Sequence, residues 1–326
     1  MRVLHSIITI VALLELRPGG LYCPAGDFYV DPWEPVGRAV ITHAHSDHAC
    51  PGSRNYLTAA PGSAILRERV GPEADIQASP YGERLTLGDT SLSLHPAGHI
   101  LGSAQVRIES RGEVWVVSGD YKLAPDPTCT PFEPLRCHTF VTESTFGLPI
   151  FRWAPETDTI GAIHAWWRAN QDAGKTSVLY AYPLGKSQRV LAAIDTSIGP
   201  LHAHDAVERY SRAYRDQGVA LPPPGSREGA TLIVAPPGYE HRGPRVSTAL
   251  VSGWMRIRGT RRRRSLDRGF VLSDHADWPE LLRAIDATGA ECVWVTHGFR
   301  GPLVRWLQEH GREALAVEAR YQEPEA

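Results

Sequence analysis

The sequence has few cysteines and no excess of positive charge, so it lacks the marks of disulfide-stabilised proteins and of proteins that bind polyanions over their whole surface. Its 326 residues include five cysteines, an odd number without a CxxC pair, which argues against a disulfide framework and against a structural zinc knuckle. Lysine and arginine number 34 against 36 aspartates and glutamates. The whole molecule therefore has no strong field to attract polyanions, and any nucleic-acid surface must be local.

A long hydrophobic run is also missing. Residues 1–16 carry one early arginine and an apolar run of about nine residues, a superficial likeness to a signal peptide, but no A-x-A-like cleavage site follows. The run is also too short to span a bilayer. We therefore expect an edge strand, or residues added by an upstream start codon, in a cytoplasmic protein without a membrane role.

The sequence does contain enough hydrophobic residues for a folded core, and their spacing follows two different patterns along the chain. Hydrophobic residues make up 42% of the chain, and short β-rich runs punctuated by glycine and proline fill about the first 145 residues. Later segments alternate between helical spacing and buried strands. The clearest predicted elements are strands 38–42, 91–95, 104–109, 113–118, 139–143, 177–182, 231–234, 250–257, 269–272 and 292–296, and helices 156–170, 186–194, 278–287 and 302–309.

The chemistry is concentrated in the motif HxHxDH at residues 43–48, directly after an apolar strand. Imidazole and carboxylate groups suit zinc or manganese, and alternate spacing on a tight loop lets His43 and His45 address one ion while Asp47 and His48 address another. The alternative is a solvated histidine-rich loop. That alternative explains a lone HxH better than it explains four potential ligands within six residues.

Further candidate ligands also follow predicted strands. His99 stands in a Gly-His pair after one strand, Asp120 follows the strand 113–118, and His297 ends the strand 292–296. Side chains from several strand ends converge at one rim of a sheet sandwich, which scattered surface histidines would not do. His95 belongs to a strand, and we expect it to be structural.

HxHxDH, the later GH and GD pairs and the terminal HG resemble the metallo-β-lactamase superfamily over essentially the whole chain. The resemblance implies an α+β four-layer αββα sandwich. Asp31 resembles the early aspartate of the superfamily that orients the ligand loop without binding metal, although an Asp-Pro turn is the simpler alternative.

The long stretch between Asp120 and His297 indicates an insertion. Residues 142–147 resemble motif A of the β-CASP nucleases, residues 273–277 resemble motif B, and residues 295–298 resemble motif C. The resemblance implies an inserted α/β β-CASP lobe at about residues 148–264, between a first part of the metallo-β-lactamase domain at 1–147 and a C-terminal part at 265–326.

The resemblance also implies a mechanism in which two divalent ions, zinc or manganese, activate a hydroxide for in-line attack on phosphorus. Carried over residue by residue, His43, His45, His99 and Asp120 hold the first ion. Asp47, His48, Asp120 and His297 hold the second, with Asp120 bridging. His275 is the candidate general acid, with Glu143 accepting its other ring hydrogen, although His275 could be structural and Glu143 could orient a ligand histidine.

Two segments are candidates for binding nucleic acid. Lys186 and Ser187 begin a predicted helix, where free backbone N–H groups could bind a phosphate or be capped by the short preceding loop. The only marked basic cluster could contact several phosphates, although a solvated loop explains it nearly as well. It includes Arg256, Arg258, Arg261 and Arg262.

The substrate class also comes from resemblance. Residues 16–27, 118–122 and 252–264 look like bacterial ligase-associated DNA exonucleases, which implies DNA end processing in repair beside an ATP-dependent DNA ligase and a helicase. His297 points the other way, because RNA enzymes of the β-CASP group usually carry histidine in motif C. An RNA endonuclease of the messenger-RNA 3′-end processing type is the alternative. A thioester or lactam hydrolase, or a binding protein with a degenerate site, fits the intact motifs less well.

Overall fold

The computed structural model describes residues 12–241, 243, 245–257, 259 and 265–318. Arg258, Arg261 and Arg262, which the sequence suggests as phosphate contacts, lie outside the described residues. The strands in chain order are β1 (Glu15–Arg17), β2 (Gly20–Cys23), β3 (Phe28–Val30), β4 (Arg38–Val40), β5 (Asn55–Ala59), β6 (Ile76–Ser79), β7 (Leu85–Leu87), β8 (Thr90–Pro96), β9 (Ala104–Ser110), β10 (Glu113–Val117), β11 (Thr139–Thr142), β12 (Thr176–Tyr180), β13 (Leu201–Ala203), β14 (Leu232–Ala235), β15 (Val246–Val251), β16 (Arg268–Phe270), β17 (Cys292–Val295) and β18 (Glu313–Ala316).

The α-helices are shorter in total and mostly follow strands. In chain order they are α1 (Ser63–Val70), α2 (Glu156–Asp172), α3 (Lys186–Ala193), α4 (Asp205–Asp216), α5 (Trp278–Thr288) and α6 (Arg300–Glu309). No helix in the described part of the chain is long and apolar enough to cross a membrane.

Two mixed sheets contain most of the strands. Within the described residues, the first sheet has the order β1-β2-β3-β4-β5-β6 and the second the order β18-β17-β11-β10-β9-β8-β7. Strands β3 to β6 run parallel, as do β10, β11, β17 and β18, whereas the remaining pairs are antiparallel. The parallel strands therefore end at common edges, where the loops that follow them meet.

One hydrophobic core lies between these two sheets. It joins Val40 and Leu57 of the first sheet to Val106 and Val117 of the second. Because successive side chains of a strand point to opposite faces, the neighbours of these residues face outward from this core. Ala39, beside Val40, packs with helices α1 and α4.

The outer face of the second sheet has a core of its own. Val116 and Phe140 pack there against Leu281 and Ile285 of α5 and Leu303 of α6. The two sheets thus share one apolar interior, and each also buries its other face against helices. The chain is a mixed α/β protein with several sheets.

A third sheet is entirely parallel, with the order β13-β14-β12-β15-β16 among the described strands. Strands of parallel sheets are usually covered on both faces and therefore apolar throughout. Accordingly, Leu232, Ile233 and Val234 of β14 are all buried. Trp167 of α2 and Val190 of α3 pack in the same core.

Most predicted elements exist in the structure, with ends shifted by at most two residues. The strand predicted over residues 250–257 is wrong in extent, because β15 covers Val246–Val251 and a 3-10 helix follows at Gly253–Arg256. Ser252 ends the strand by accepting a hydrogen bond from the backbone N–H of Trp254 at its side-chain oxygen, 3.3 Å. The division of the chain at residues 148 and 264 remains a prediction, and β16 of the third sheet follows the second of these limits.

Candidate metal centre

The candidate ligands lie in loops that follow strands of the first two sheets. The HxHxDH loop follows β4, His99 follows β8, Asp120 follows β10 and His297 follows β17. The structure brings the seven residues together in two neighbouring groups, in each of which the ligand atoms lie within 4.8 Å of one another. The first group is His43, His45, His99 and Asp120, and the second is Asp47, His48 and His297.

Asp120 stands between the two groups. Its Oδ2 lies 3.3 Å from His43 Nε2 and 3.7 Å from His99 Nε2 in the first group. The same oxygen lies 3.4 Å from His48 Nε2 in the second group. A carboxylate at this position lies close enough to both groups to serve two cations, and the bridging role of Asp120 stays a prediction.

The histidines of the first group are oriented by hydrogen bonds on the side away from the centre. Nδ1 of His43 lies 3.1 Å from Thr42 Oγ1, and Nδ1 of His99 lies 2.9 Å from the backbone oxygen of Asp274. His45 is turned the other way, with Nε2 at 3.2 Å from the Leu184 oxygen. Since a neutral imidazole donates from one nitrogen and accepts at the other, each ring presents a lone pair to the centre.

The second group is oriented in the same manner by different partners. Asp31 Oδ2 lies 2.7 Å from His48 Nδ1, and both Asp31 oxygens accept hydrogen bonds from Thr42, at 2.8 Å from its backbone N–H and 2.6 Å from its hydroxyl. Nδ1 of His297 lies 2.9 Å from Thr296 Oγ1. Asp31 thus contacts the ligand loop at its start and at His48, the place predicted for an orienting residue.

Burial and the nearby carboxylates together determine the protonation of this cluster. Burial, together with His275 and His45, lowers the pKa of His99 to about 3, and burial also lowers the pKa values of His43, His45 and His297. Four histidines are therefore neutral, the form that binds metal ions. Burial opposes the charge of His48, but the carboxylates of Asp120, Asp47 and Asp31 outweigh it and raise its pKa well above the usual value.

The donor set fits a pair of divalent cations. Neutral imidazoles and carboxylates are the ligands that zinc and manganese take in proteins. His48 Nε2 is buried and makes no hydrogen bond within the described residues. Its nearest acceptors are carboxylate oxygens that make no hydrogen bond with it, Asp120 Oδ2 at 3.4 Å and Asp47 Oδ2 at 3.6 Å. A divalent cation between these three atoms would satisfy all of them.

His275 and Glu143 form a pair beside the first group. Nδ1 of His275 lies 3.0 Å from Glu143 Oε2 and 3.1 Å from Oε1. Glu143 is held in turn by the backbone N–H groups of Tyr121 at 2.9 Å and Thr145 at 3.3 Å. The carboxylate therefore fixes the imidazole, and Asp120, Glu143 and His275 also form a third group of close potential ligands.

Two candidate phosphate contacts, Ser187 and Lys186, and the histidine expected to be structural, His95, all have partners within the protein. Ser187 is fully buried and donates to the Tyr182 oxygen at 2.7 Å, so it is not free to contact a phosphate. Lys186 Nζ is mostly buried and lies 3.3 Å from Asp274 Oδ2. His95 lies between Ser93 and Glu133, at 3.0 and 3.2 Å, outside the groups of close ligands.

Arg256 is exposed, and its Nε donates to the Ile150 oxygen at 3.3 Å. Whether Arg256 binds nucleic acid stays a prediction.

Sequence reasoning missed the outer partners of the ligands. Thr42 directly precedes the ligand motif and Asp274 lies inside the motif B resemblance, so their positions gave a signal. Leu184 and Arg189 gave none, because Leu184 acts through its backbone oxygen and Arg189 lies far from the ligand motifs in the sequence.

No protein-family profile matches the chain. Comparison with individual proteins finds relatives that are named as a DNA ligase and as ribonucleases. The chain is 32% identical over 311 residues to a "Probable DNA ligase" of Opitutus terrae, a match covering 91% of the chain and 30% of that protein. It is 32% identical over 151 residues to "Ribonuclease TTHA0252" of Thermus thermophilus, covering 37% of the chain and 34% of the relative. "RNase aCSPSF2" of Saccharolobus solfataricus is 28% identical over 185 residues, covering 48% and 37%. The chain thus spans about a third of the length of these relatives.

A solved structure is similar in fold. A protein of unknown function from Enterococcus faecalis V583 superposes with a TM-score of 0.57 at 11% identity, covering 86% of this chain and 78% of its own. At this identity the likeness concerns the fold alone.

Proposed function

We infer that this chain, which belongs to the β-CASP nucleases of the metallo-β-lactamase superfamily, is a metal-dependent phosphodiester hydrolase, and more narrowly a DNA exonuclease of DNA repair or end processing. One observation carries the proposal: two groups of histidines and carboxylates meet at Asp120, with the His275–Glu143 pair beside them. A site that only binds metal has no need of the additional oriented imidazole.

The family membership gives the architecture that we propose. A four-layer αββα sandwich is supported by the core between the first two sheets and by the helices packed on their outer faces. We assign strands β12 to β15 of the third sheet and helices α2 to α4 to the inserted β-CASP lobe of about residues 148–264, with the metallo-β-lactamase domain formed by 1–147 and 265–326. Strand β16 pairs with β15 from the start of that C-terminal part.

The ligands would divide between two cations. His43, His45, His99 and Asp120 would hold the first, and Asp47, His48, Asp120 and His297 the second, either zinc or manganese. Bound there, the pair would supply Lewis acidity toward the phosphoryl oxygens and make water a nucleophile at neutral pH.

His275 would donate a proton to the departing sugar oxygen from Nε2. Glu143, by accepting the hydrogen on Nδ1, would keep the imidazole in the orientation and tautomer this requires. The backbone N–H groups of Tyr121 and Thr145 hold the Glu143 carboxylate in turn.

DNA is the substrate that we favour, because the match to the protein named a probable DNA ligase extends over 91% of the chain. The same match supports a functional association with an ATP-dependent DNA ligase, and a helicase partner remains a prediction from resemblance. RNA endonuclease activity of the messenger-RNA 3′-end processing type is the second candidate. The matches to proteins named ribonucleases favour it, although those cited cover less than half of the chain.

End-labelled single-stranded DNA and RNA of one sequence, incubated with the protein and zinc or manganese, test the proposal. We expect a ladder of products that shortens from one end of the DNA. Internal cuts confined to RNA would overturn the DNA exonuclease assignment and leave the nuclease assignment standing.

The matched control is Asp120→Ala, which removes the oxygen shared by the two groups. Its cleavage should fall to background. Degradation that persists in this variant would come from a contaminating nuclease. A chromogenic lactam and a thioester, tested in parallel, should stay intact.

A further inference from the structure

Apart from Thr42, which follows β4 and contacts both His43 and Asp31, the outer partners of the two ligand groups come from different parts of the chain. In the second group the partners are Asp31 and Thr296, which follow β3 and β17 of the first two sheets. In the first group, His45 contacts the oxygen of Leu184, in the loop between β12 and α3. We call residues 156–270, which contain the third sheet and helices α2 to α4, the third-sheet segment.

His99 depends on the same segment indirectly. Its Nδ1 lies 2.9 Å from the Asp274 oxygen, and the Asp274 side chain is held by two cations of α3. Lys186 Nζ lies 3.3 Å from Asp274 Oδ2, and Arg189 Nη1 lies 3.4 Å from Oδ1. Arg189 Nη1 also donates to the Ser273 oxygen.

Arg189 also pairs with two carboxylates outside the loop that contains Ser273 and Asp274. Its Nη2 lies 2.5 Å from Glu156 Oε2 at the start of α2, and its Nε lies 3.2 Å from Asp126 Oδ2, in the loop that follows Asp120. Lys122 completes the cluster, with Nζ 3.9 Å from Asp126 and 4.0 Å from Glu156. We call these six residues the ionic cluster; its charges are balanced, three cations against three carboxylates: Lys122, Lys186, Arg189, Asp126, Glu156 and Asp274.

Burial makes this arrangement demanding. Arg189 is 4% exposed and Asp274 is 3% exposed. Buried charges are costly unless they are paired, so Lys186 and Arg189 restrain the position of Asp274. The backbone approaches closely here as well, because a Cβ on Gly185 (φ +87°) would lie 2.4 Å from Ile100 Cγ2, next to His99.

We propose that Lys186 and Arg189 are positioning residues for the first ligand group, and that this group is assembled only when the third-sheet segment is docked. The second group has no outer partner of this kind among the described residues. Loosening the segment therefore releases one cation and leaves the other bound. This inference rests on the proposed use of two cations but not on the identity of the substrate.

Metal titration of the stripped full-length protein tests the proposal without any substrate. Zinc binding is followed by calorimetry, and the coordination of each position by the visible absorption of Co²⁺. Wild type should bind two ions. Arg189→Gln and Lys186→Met should bind one with unchanged affinity and the other at least about tenfold more weakly, the usual effect of losing an outer partner.

Two variants serve as matched controls. Arg209→Gln removes an ion pair with Glu68 at 2.7 Å, which also joins the third-sheet segment to the rest of the chain but touches no ligand, and it should bind both ions normally. Asp31→Asn should weaken mainly the other position, because Asp31 contacts His48 directly and reaches His43 only through Thr42.

Far-ultraviolet circular dichroism verifies that each variant is folded. If Arg189→Gln does not fold, Lys186→Met decides, because it leaves Arg189 paired with all its carboxylates. Two ions of wild-type affinity in the folded variants, or equal weakening of both, would overturn the proposal, as would a wild type that binds fewer than two ions. A wild type that binds two ions but cleaves no nucleic acid would instead overturn the proposed function alone.

Discussion

At the scale of single residues, the glycine before the shared carboxylate lies where the site leaves no room for a side chain. Gly119 has a φ of +56°, and a Cβ there would lie 2.5 Å from Thr42 Oγ1, the hydroxyl that donates to Asp31. Gly119 therefore lets the Asp120 loop pass close to the ligand loop.

Gly119→Ala should lower nuclease activity by about 100-fold, because displacing a catalytic group by about 1 Å has effects of this size. Steady-state cleavage of a labelled oligonucleotide measures it. Gly112→Ala is the control, since Gly112 also has a positive φ of +84° but a Cβ there would meet nothing within 4 Å. Equal activity losses in the two variants would assign the effect to backbone strain alone.

His275→Gln tests the assignment of a proton donor. The variant should lose about 10²- to 10⁴-fold in kcat on DNA, the usual contribution of a general acid, with unchanged metal content. A phosphodiester with a p-nitrophenolate leaving group needs no proton, so its hydrolysis should fall much less. Loss of a metal ion from the variant would show that His275 is a ligand, as its closeness to Asp120 and Glu143 permits.

The sequence predicted the seven candidate ligands because histidines and aspartates at strand ends have a recognisable spacing. The structure brings all seven together. The contact of His45 with Leu184 could not be predicted from the sequence, because any residue type supplies a backbone oxygen. Lys186 was expected near a phosphate, and only the folded chain places it beside Asp274.

At the scale of elements, helix α2 links the third sheet to the ionic cluster. Trp167 is completely buried and donates from Nε1 to Thr231 Oγ1 at 3.0 Å. Glu156 at the other end of the helix pairs with Arg189. The helix therefore combines a packing face with a restraint on the metal centre.

Trp167→Ala should lower the free energy of unfolding by about 3–5 kcal/mol, the cost of emptying a buried aromatic site. Gly161→Ala on the exposed side of the same helix should raise it by about 0.5–1 kcal/mol, because a Cβ there meets nothing within 4 Å. Urea unfolding measures both. Similar values for the two variants would mean that α2 does not pack as described.

Helical spacing of Ile160, Ile163 and Trp167 made α2 predictable from the sequence. Helix α4 lies outside the predicted elements, although Val207, Tyr210 and Tyr214 also recur at helical spacing and are buried. Helix α4 was not predicted because its buried face contains tyrosines, which differ less in polarity from the arginines of its exposed face than aliphatic residues would. The short strands β1 to β3 are equally hard to predict, because three or four residues carry little periodicity.

At the scale of the whole molecule, cations bound by the two ligand groups would couple metal binding to folding. Treatment with a chelator should abolish cleavage, and added zinc or manganese should restore it. Chelation should also lower the free energy of unfolding. The expected decrease is about 2.7 kcal/mol for each site if the free metal concentration before chelation was 100 times the dissociation constant of that site. Thermal unfolding with and without chelator measures this. An unchanged midpoint in wild type would contradict metal binding, and Asp120→Ala should show a smaller shift than wild type.

The parallel pairing of β11 with β17 has a consequence for synthesis of the protein. These strands are neighbours in the second sheet, yet β11 ends at Thr142 and β17 begins at Cys292. Pairing across so long an intervening stretch forms late. A ribosome that has made the HxHxDH loop, His99 and Asp120 has not yet made His275 or His297. The growing chain therefore lacks the full set of candidate ligands until His297 has been made, and a fragment that ends before this residue should not cleave the nucleic acid around it.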